Sequence, residues 1–159
     1  MPFIMFYELF PEMAKRETRS LTVLPGKRGE IPAGHYGFLD MYCDEPGCDC
    51  RRVFLMVLSS PVQRTEAVIA WGWEDESFYR KWSHDDDLPS EQLEALKGPC
   101  LNMGSPETEL APALLDFVRN VLLTDPAYVE RIKRHYRMFR EKIETPDKTE
   151  WRRNKKRLQ

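Results

Sequence analysis

Alternation of apolar and polar positions is strongest between residues 35 and 73. His35-Tyr36-Gly37-Phe38-Leu39-Asp40-Met41-Tyr42 reads as a strand, and Thr65-Glu66-Ala67-Val68-Ile69-Ala70-Trp71-Gly72-Trp73 as another beyond the Ser59-Ser60-Pro61 break. Between them, Arg51-Arg52-Val53-Phe54-Leu55-Met56-Val57-Leu58 is almost continuously apolar after its arginines, the pattern of a central strand covered on both faces. An earlier stretch, Thr18 to Leu24, alternates more loosely and stops at Pro25-Gly26, which predicts a further strand and a turn. Short connections throughout favour an antiparallel meander.

Past Trp73 the period changes from two to between three and four. Glu76 to Trp82 and Ser90 to Glu94 predict short helices, the second capped by Ser90 and stopped by Gly98-Pro99, with Gly98 to Glu109 a loop that carries Cys100. Leu110, Leu114, Phe117 and Val121 form the apolar stripe of a longer helix that starts near Pro112, with Ala113, Val118 and Leu122 widening it. A second long helix has Asp125 at its N-cap, Pro126 at its first position, and Val129, Ile132, Tyr136, Phe139 and Ile143 on its inner face. The short link Leu123-Thr124-Asp125 predicts that the two helices pack as an antiparallel pair. The segment Phe3 to Met13 is too brief to assign. The expected fold is therefore α+β, a mainly antiparallel four-stranded sheet followed by a C-terminal antiparallel helical pair. Residues 1–145 form one domain with a cysteine turn at 43–50, and 146–159 form a charged tail expected to be mobile, anchored only by Trp151.

Composition sharpens this in two places. The net charge of −2 hides an asymmetry, since Ala127 to Gln159 holds twelve Lys or Arg against five Asp or Glu. Arg131, Arg134 and Arg137 on the helix, with Arg152, Arg153, Lys155 and Lys156 in the tail, are thus candidate contacts for nucleic acid or a protein partner. A solvated face, or one half of the protein docking on the other, accounts for the same charges, and no helix-turn-helix, RNP sequence or zinc-finger helix is recognisable. No apolar run is long enough to span a bilayer, and the apolar start Met1 to Phe10 lacks the basic residues and cleavage site of a signal peptide. A cytoplasmic protein with reduced thiols is expected.

Three of the four cysteines fall within eight residues, around the turn between the second and third strands. Pro46-Gly47 suits the two central positions of a turn, which folds Cys43 back towards Cys48. Cys48 and Cys50, two apart, leave an extended segment on one face. Three sulfurs thus converge locally, and a structural zinc ion needs a fourth donor to complete its tetrahedron. Cys100 is the first candidate, with His84 and His35 as alternatives. Free thiols, a disulfide from Cys43 or an iron–sulfur cluster are competing uses of the same residues. The spacing is not the C-x2-C pair of zinc ribbons. A catalytic thiol is disfavoured, because Asp44, Glu45 and Asp49 oppose ionisation and only Arg51 and Arg52 assist it.

Two further groupings have ordinary explanations beside functional ones. His84-Asp85-Asp86-Asp87 holds carboxylates for a hard cation, or is an acidic surface loop. Trp71, Trp73, Phe78, Tyr79 and Trp82 form the floor of a pocket, or close the core beneath the helices. The pocket and the cysteine cluster are the two places where an enzymatic function would reside.

The segment Tyr42-Cys43-Asp44-Glu45-Pro46-Gly47-Cys48-Asp49-Cys50-Arg51-Arg52 resembles the signature of an uncharacterised family of bacterial proteins. So does Asp125-Pro126-Ala127-Tyr128-Val129-Glu130-Arg131-Ile132-Lys133-Arg134-His135-Tyr136. The likeness spans roughly residues 34 to 140 and implies a bacterial setting and one shared domain. It supplies no reaction, substrate or catalytic residue.

Overall fold

The computed structural model describes residues 3–26 and 29–145. A short strand β1 (Phe3–Met5) leads into helices α1 (Phe6–Leu9) and α2 (Pro11–Glu17), then β2 (Arg19–Val23). The long strands β3 (Gly34–Cys43), β4 (Arg52–Ser60) and β5 (Arg64–Gly72) follow as a meander. Helices α3 (Glu76–Trp82) and α4 (Ser90–Lys97), the two-residue strand β6 (Cys100–Leu101), α5 (Ala111–Asn120), a 3-10 turn (Leu122–Thr124) and α6 (Pro126–Glu144) complete the order.

All pairings are antiparallel, and the four strands expected from the alternation are present. The sheet has six strands rather than four. β1 and β2 share the outer edge of β3, β1 against its Cys43 end and β2 against its Gly34 end, while β6 pairs with β5 at the far edge. Both added strands are too short to carry an alternating pattern. The stretch around Cys100, expected as loop, is that edge strand.

β4 lies centrally, as its apolar run predicts. Val53, Leu55 and Val57 face the main core with Phe38, Tyr42 and Ile69, beneath Leu114, Val118, Ile132 and Phe139 of α5 and α6. Phe54, Val68 and Ala70 form a smaller cluster on the opposite face, where the Phe3 ring stacks on Phe54 at 4.1 Å. The two C-terminal helices follow the sheet as expected, but they do not pack closely on each other. α5 packs on β5 and α6 on β3, and the 3-10 turn touches both helices and separates them. On α5 and the turn after it, Ala111, Leu114, Val118 and Leu122 are the buried positions, while Val121, expected on the stripe, is exposed. The cap of α6 is as expected, with the Asp125 carboxylate accepting from Ala127 N at 3.0 Å. Ser90, by contrast, caps nothing: Pro89 occupies the N-cap position of α4.

A β-bulge places Glu66 as the extra residue between Ala67, opposite Val57, and Thr65, opposite Leu58. Its carboxylate is 1% exposed as a residue and accepts from Ser59 Oγ at 2.9 Å, Arg64 Nε at 3.0 Å and Thr108 Oγ1. Burial acts to raise the Glu66 carboxyl, but these donors outweigh it and hold the group below the ordinary value of 4.5. A carboxyl depressed by folding adds stability that is complete above the unfolded value and is lost as pH falls through the folded one. The melting temperature is therefore expected to fall with acidification below 4.5. Glu66→Gln should melt lower at neutral pH and show a shallower acid dependence. Equal slopes by circular dichroism would exclude this role for Glu66.

Candidate metal centre

The turn between β3 and β4 is built as its residue types dictate. Cys48 N donates to Glu45 O at 3.2 Å across Pro46-Gly47, and Gly47 takes the positive φ of +75° that the second central position requires. Arg51 also adopts a left-handed conformation, φ +48°. Its carbonyl is held there by Tyr79 Oη, which donates at 2.8 Å. Gly72 makes that contact possible, since a β-carbon at this position would collide with the Tyr79 phenol.

The Sγ atoms of Cys43, Cys48 and Cys50 all lie within 4.8 Å of one another. A tetrahedral zinc site with Zn–S bonds of about 2.3 Å separates its sulfurs by about 3.8 Å, so only a slight contraction is needed. Cys43 and Cys50 are buried, Cys48 is half-buried, and all four cysteines are free thiols. The backbone N–H groups of Glu45 and Arg52, each two residues beyond a cysteine, act to favour the ionised form of Cys43 and Cys50. Such N–H donors stabilise metal-bound thiolates. Burial pushes the Cys43 thiol up and the Cys50 thiol up to about 12, the reverse of what a nucleophilic cysteine requires.

Helix α6 grips this turn with three side chains spaced four apart. Tyr136 Oη donates to Asp49 Oδ1 at 3.2 Å and accepts from Arg51 N at 3.2 Å. Arg140 donates to the carbonyls of Cys43 and Glu45, the latter at 2.7 Å. The Glu144 carboxylate accepts from Gly47 N at 2.7 Å and pairs with Arg140. Spacing of four keeps the three residues on one helical stripe. Sequence reasoning assigned Tyr136 to the core, counted Arg140 only within the basic stretch of the helix, and left Glu144 without a role.

The fourth-ligand candidates lie elsewhere. Cys100 sits on β6 beside Ala70, separated from β3 by β4 and β5. Three strand spacings of about 4.8 Å put it roughly 14 Å from Cys43, outside the cluster. Its thiol instead donates to Ala95 O at 3.4 Å. His35 is eight residues back along β3, about 26 Å away, with Nδ1 at 3.0 Å from Thr22 Oγ1. His84 follows α3 and does not join the cluster. Among the described residues, Cys43, Cys48 and Cys50 are the only such grouping of three or more His, Cys, Asp or Glu donors, and Asp85, Asp86 and Asp87 form none.

The basic helix is largely spent inside the protein. Arg131 donates to the Glu17 carbonyl at 2.9 Å, and Arg134 pairs with the Glu17 carboxylate. Arg137 is exposed, at the mouth of a hollow of about 290 Å³ whose walls include Trp73, Tyr136, Lys133 and Arg51. Arg152, Arg153, Lys155 and Lys156 lie outside the described residues. Trp71 and Trp73 pack on the main core, Trp73 edge-on to Tyr136 at 4.9 Å.

A second polar cluster is buried beneath α6. His135, 2% exposed, has Nδ1 at 2.7 Å from Asp40 Oδ2 and Nε2 at 3.2 Å from Glu17 Oε1. Its ring stacks on Phe6 at 3.9 Å. Tyr42 Oη donates to the same Asp40 oxygen at 2.8 Å. These contacts tie α2, β3 and α6 together.

Comparison with known proteins finds no matching family model, no similar curated protein and no similar solved structure. Among the described residues no helix is long and apolar enough to cross a membrane.

Proposed function

We propose that the protein binds a structural zinc ion through Cys43, Cys48 and Cys50, and that it works as a small binding or scaffolding module rather than as an enzyme. The convergence of three sulfurs within 4.8 Å carries this reading. Thiolate donors suit zinc among the common divalent ions, and the backbone N–H groups near Cys43 and Cys50 favour their ionised form. The ion would staple the β3–β4 turn in the shape that Tyr136, Arg140 and Glu144 of α6 recognise. A structural role also fits thiols whose burial opposes ionisation in the absence of a metal.

Elemental analysis of protein purified without chelators tests the reading. About one zinc per chain is expected, with Cys48→Ser abolishing it and Cys100→Ser leaving it intact. Wild-type protein that remains metal-free after incubation with zinc would refute the proposal.

A further inference from the structure

The hollow between the cysteine turn and α6, about 290 Å³, stands at the lower limit of the size range of small-molecule sites. Trp73 and Tyr136 give it an aromatic wall, their rings nearly perpendicular at 77° and 4.9 Å apart. The rest of the lining is charged, with Arg51, Lys133 and Arg137 set against Asp49 and Glu74. Such a wall offers a flat ligand a surface to pack on, and the charges select which ligand that is.

Both carboxylates are spent on Arg51. Its Nε and Nη2 donate to the two Asp49 oxygens at 3.1 and 2.9 Å, and its Nη1 lies 3.4 Å from Glu74 Oε1. The guanidinium also lies over the Phe78 ring at 4.6 Å, and Asp49 accepts from Tyr136 Oη at 3.2 Å. This part of the wall is therefore in place before any ligand arrives, which lowers the cost of binding one. The two cations from α6 are committed to much less. Lys133 meets Glu130 at 3.7 Å near the surface, where an ion pair is worth little. Arg137, exposed, forms no ion pair among the described residues. Four residues apart, Lys133 and Arg137 share one side of α6 with β-carbons about 5–6 Å from each other. Two such cations side by side suit a doubly charged anion, and the planar fork of arginine matches phosphate oxygens in pairs.

We infer that this hollow binds a single nucleotide unit, with its base packed against Trp73 and its phosphate held by Lys133 and Arg137. The unit is a free nucleoside monophosphate or the phosphorylated end of a single strand, which share this chemistry. The inference rests on the binding role proposed above and gives it a ligand class, and it does not depend on the ion.

Isothermal titration calorimetry of the full-length protein with adenosine and uridine 5′-monophosphates tests this. Saturable binding of at least one is expected, with the matching nucleoside, which lacks the phosphate, roughly ten-fold weaker or more. Arg137→Ala should weaken the monophosphate by about ten-fold or more, the loss of a charged hydrogen-bond donor, and leave the nucleoside unaffected. Trp73→Leu should weaken both by about ten-fold, as removal of a stacking ring does. Far-UV circular dichroism checks the fold of each variant. Should Trp73→Leu not fold, Lys133→Ala replaces it, with a several-fold loss confined to the monophosphate. A 5′-phosphorylated oligothymidylate that binds more tightly than the monophosphates, and loses that advantage on dephosphorylation, assigns the hollow to strand ends; otherwise it takes free nucleotides. No binding of either monophosphate at millimolar concentration overturns the inference. Binding that Arg137→Ala leaves unchanged, of monophosphate or strand, places the site elsewhere and overturns it likewise. Neither failure touches the metal reading, which the zinc content decides separately.

Discussion

Stripping the ion from zinc-loaded protein is expected to lower its melting temperature by about 10 °C. A ligand present at a thousand times its dissociation constant stabilises the folded state by roughly 4 kcal/mol, and in a domain of this size each kcal/mol shifts the midpoint by about 2–4 °C. The loss should fall short of complete unfolding. The main core runs from Phe38 and Leu55 to Leu114 and Phe139, and the cysteine turn contributes only Cys43 and Cys50 to its buried members. Thermal melts with and without a chelator, in the presence of excess zinc, measure the difference. Cys48→Ser should melt like stripped wild type and ignore the chelator. Coincident melts of loaded and stripped wild type would show that the ion contributes nothing to stability.

The second large effect is expected at His135, far from the thiols. His135→Ala leaves Asp40, 8% exposed, with Tyr42 as its remaining hydrogen-bond donor and opens a cavity against Phe6. Breaking a buried charged contact by removing one partner costs about 3–5 kcal/mol, or roughly 10–15 °C of melting temperature. Neutralising the stranded carboxylate should return part of it. In a double-mutant cycle, Asp40→Asn with His135→Ala should cost less than the two single changes together. Additive losses would mean that the two side chains do not act as a unit. Glu17 gives this cluster an acid limit. Burial acts to raise its carboxyl, but the His135 hydrogen bond and the Arg134 and Arg131 charges prevail and hold it below the ordinary 4.5. The stability it adds is therefore complete above that value and is lost as pH falls through the folded value.

Much of this structure is legible in the chain, for identifiable reasons. β2 to β5 announce themselves because each is long enough for a period of two to stand out, and Asp125-Pro126 marks the start of α6 through its own chemistry. The turn at Pro46-Gly47 has the backbone those residues prefer, and it gathers three thiols as their spacing suggests. β1 and β6, of three and two residues, are specified by the strand edges they meet and not by their own pattern. Cys100 is linked to the turn by its residue type and the Gly98-Pro99 break before it, and no local pattern places it on the opposite edge of the sheet. The Asp40–His135 contact had a readable signal. Asp40 occupies the inward parity of β3, between Phe38 and Tyr42, and His135 lies on the buried side of α6 between Ile132 and Phe139. A polar, ionisable residue at each of two apolar positions is itself a hint that they meet. The roles of Arg140 and Glu144 had none, since their partners are backbone groups about a hundred residues away.

The clamp across that separation has a bearing on how the chain assembles as it is made. Cys43 and Cys50 lie seven residues apart, so a hairpin emerging from the ribosome closes the ion-binding loop at small entropic cost. Arg140 and Glu144 reach the same turn across sequence separations of 95 to 97 residues. Under the proposed metal reading, ion capture would need only the nascent β3–β4 hairpin, whereas the hold of Arg140 and Glu144 on the turn waits for the last helix. On the same reading, the hold of α6 on the turn would slow loss of the ion and couple its rate to the local opening of that helix.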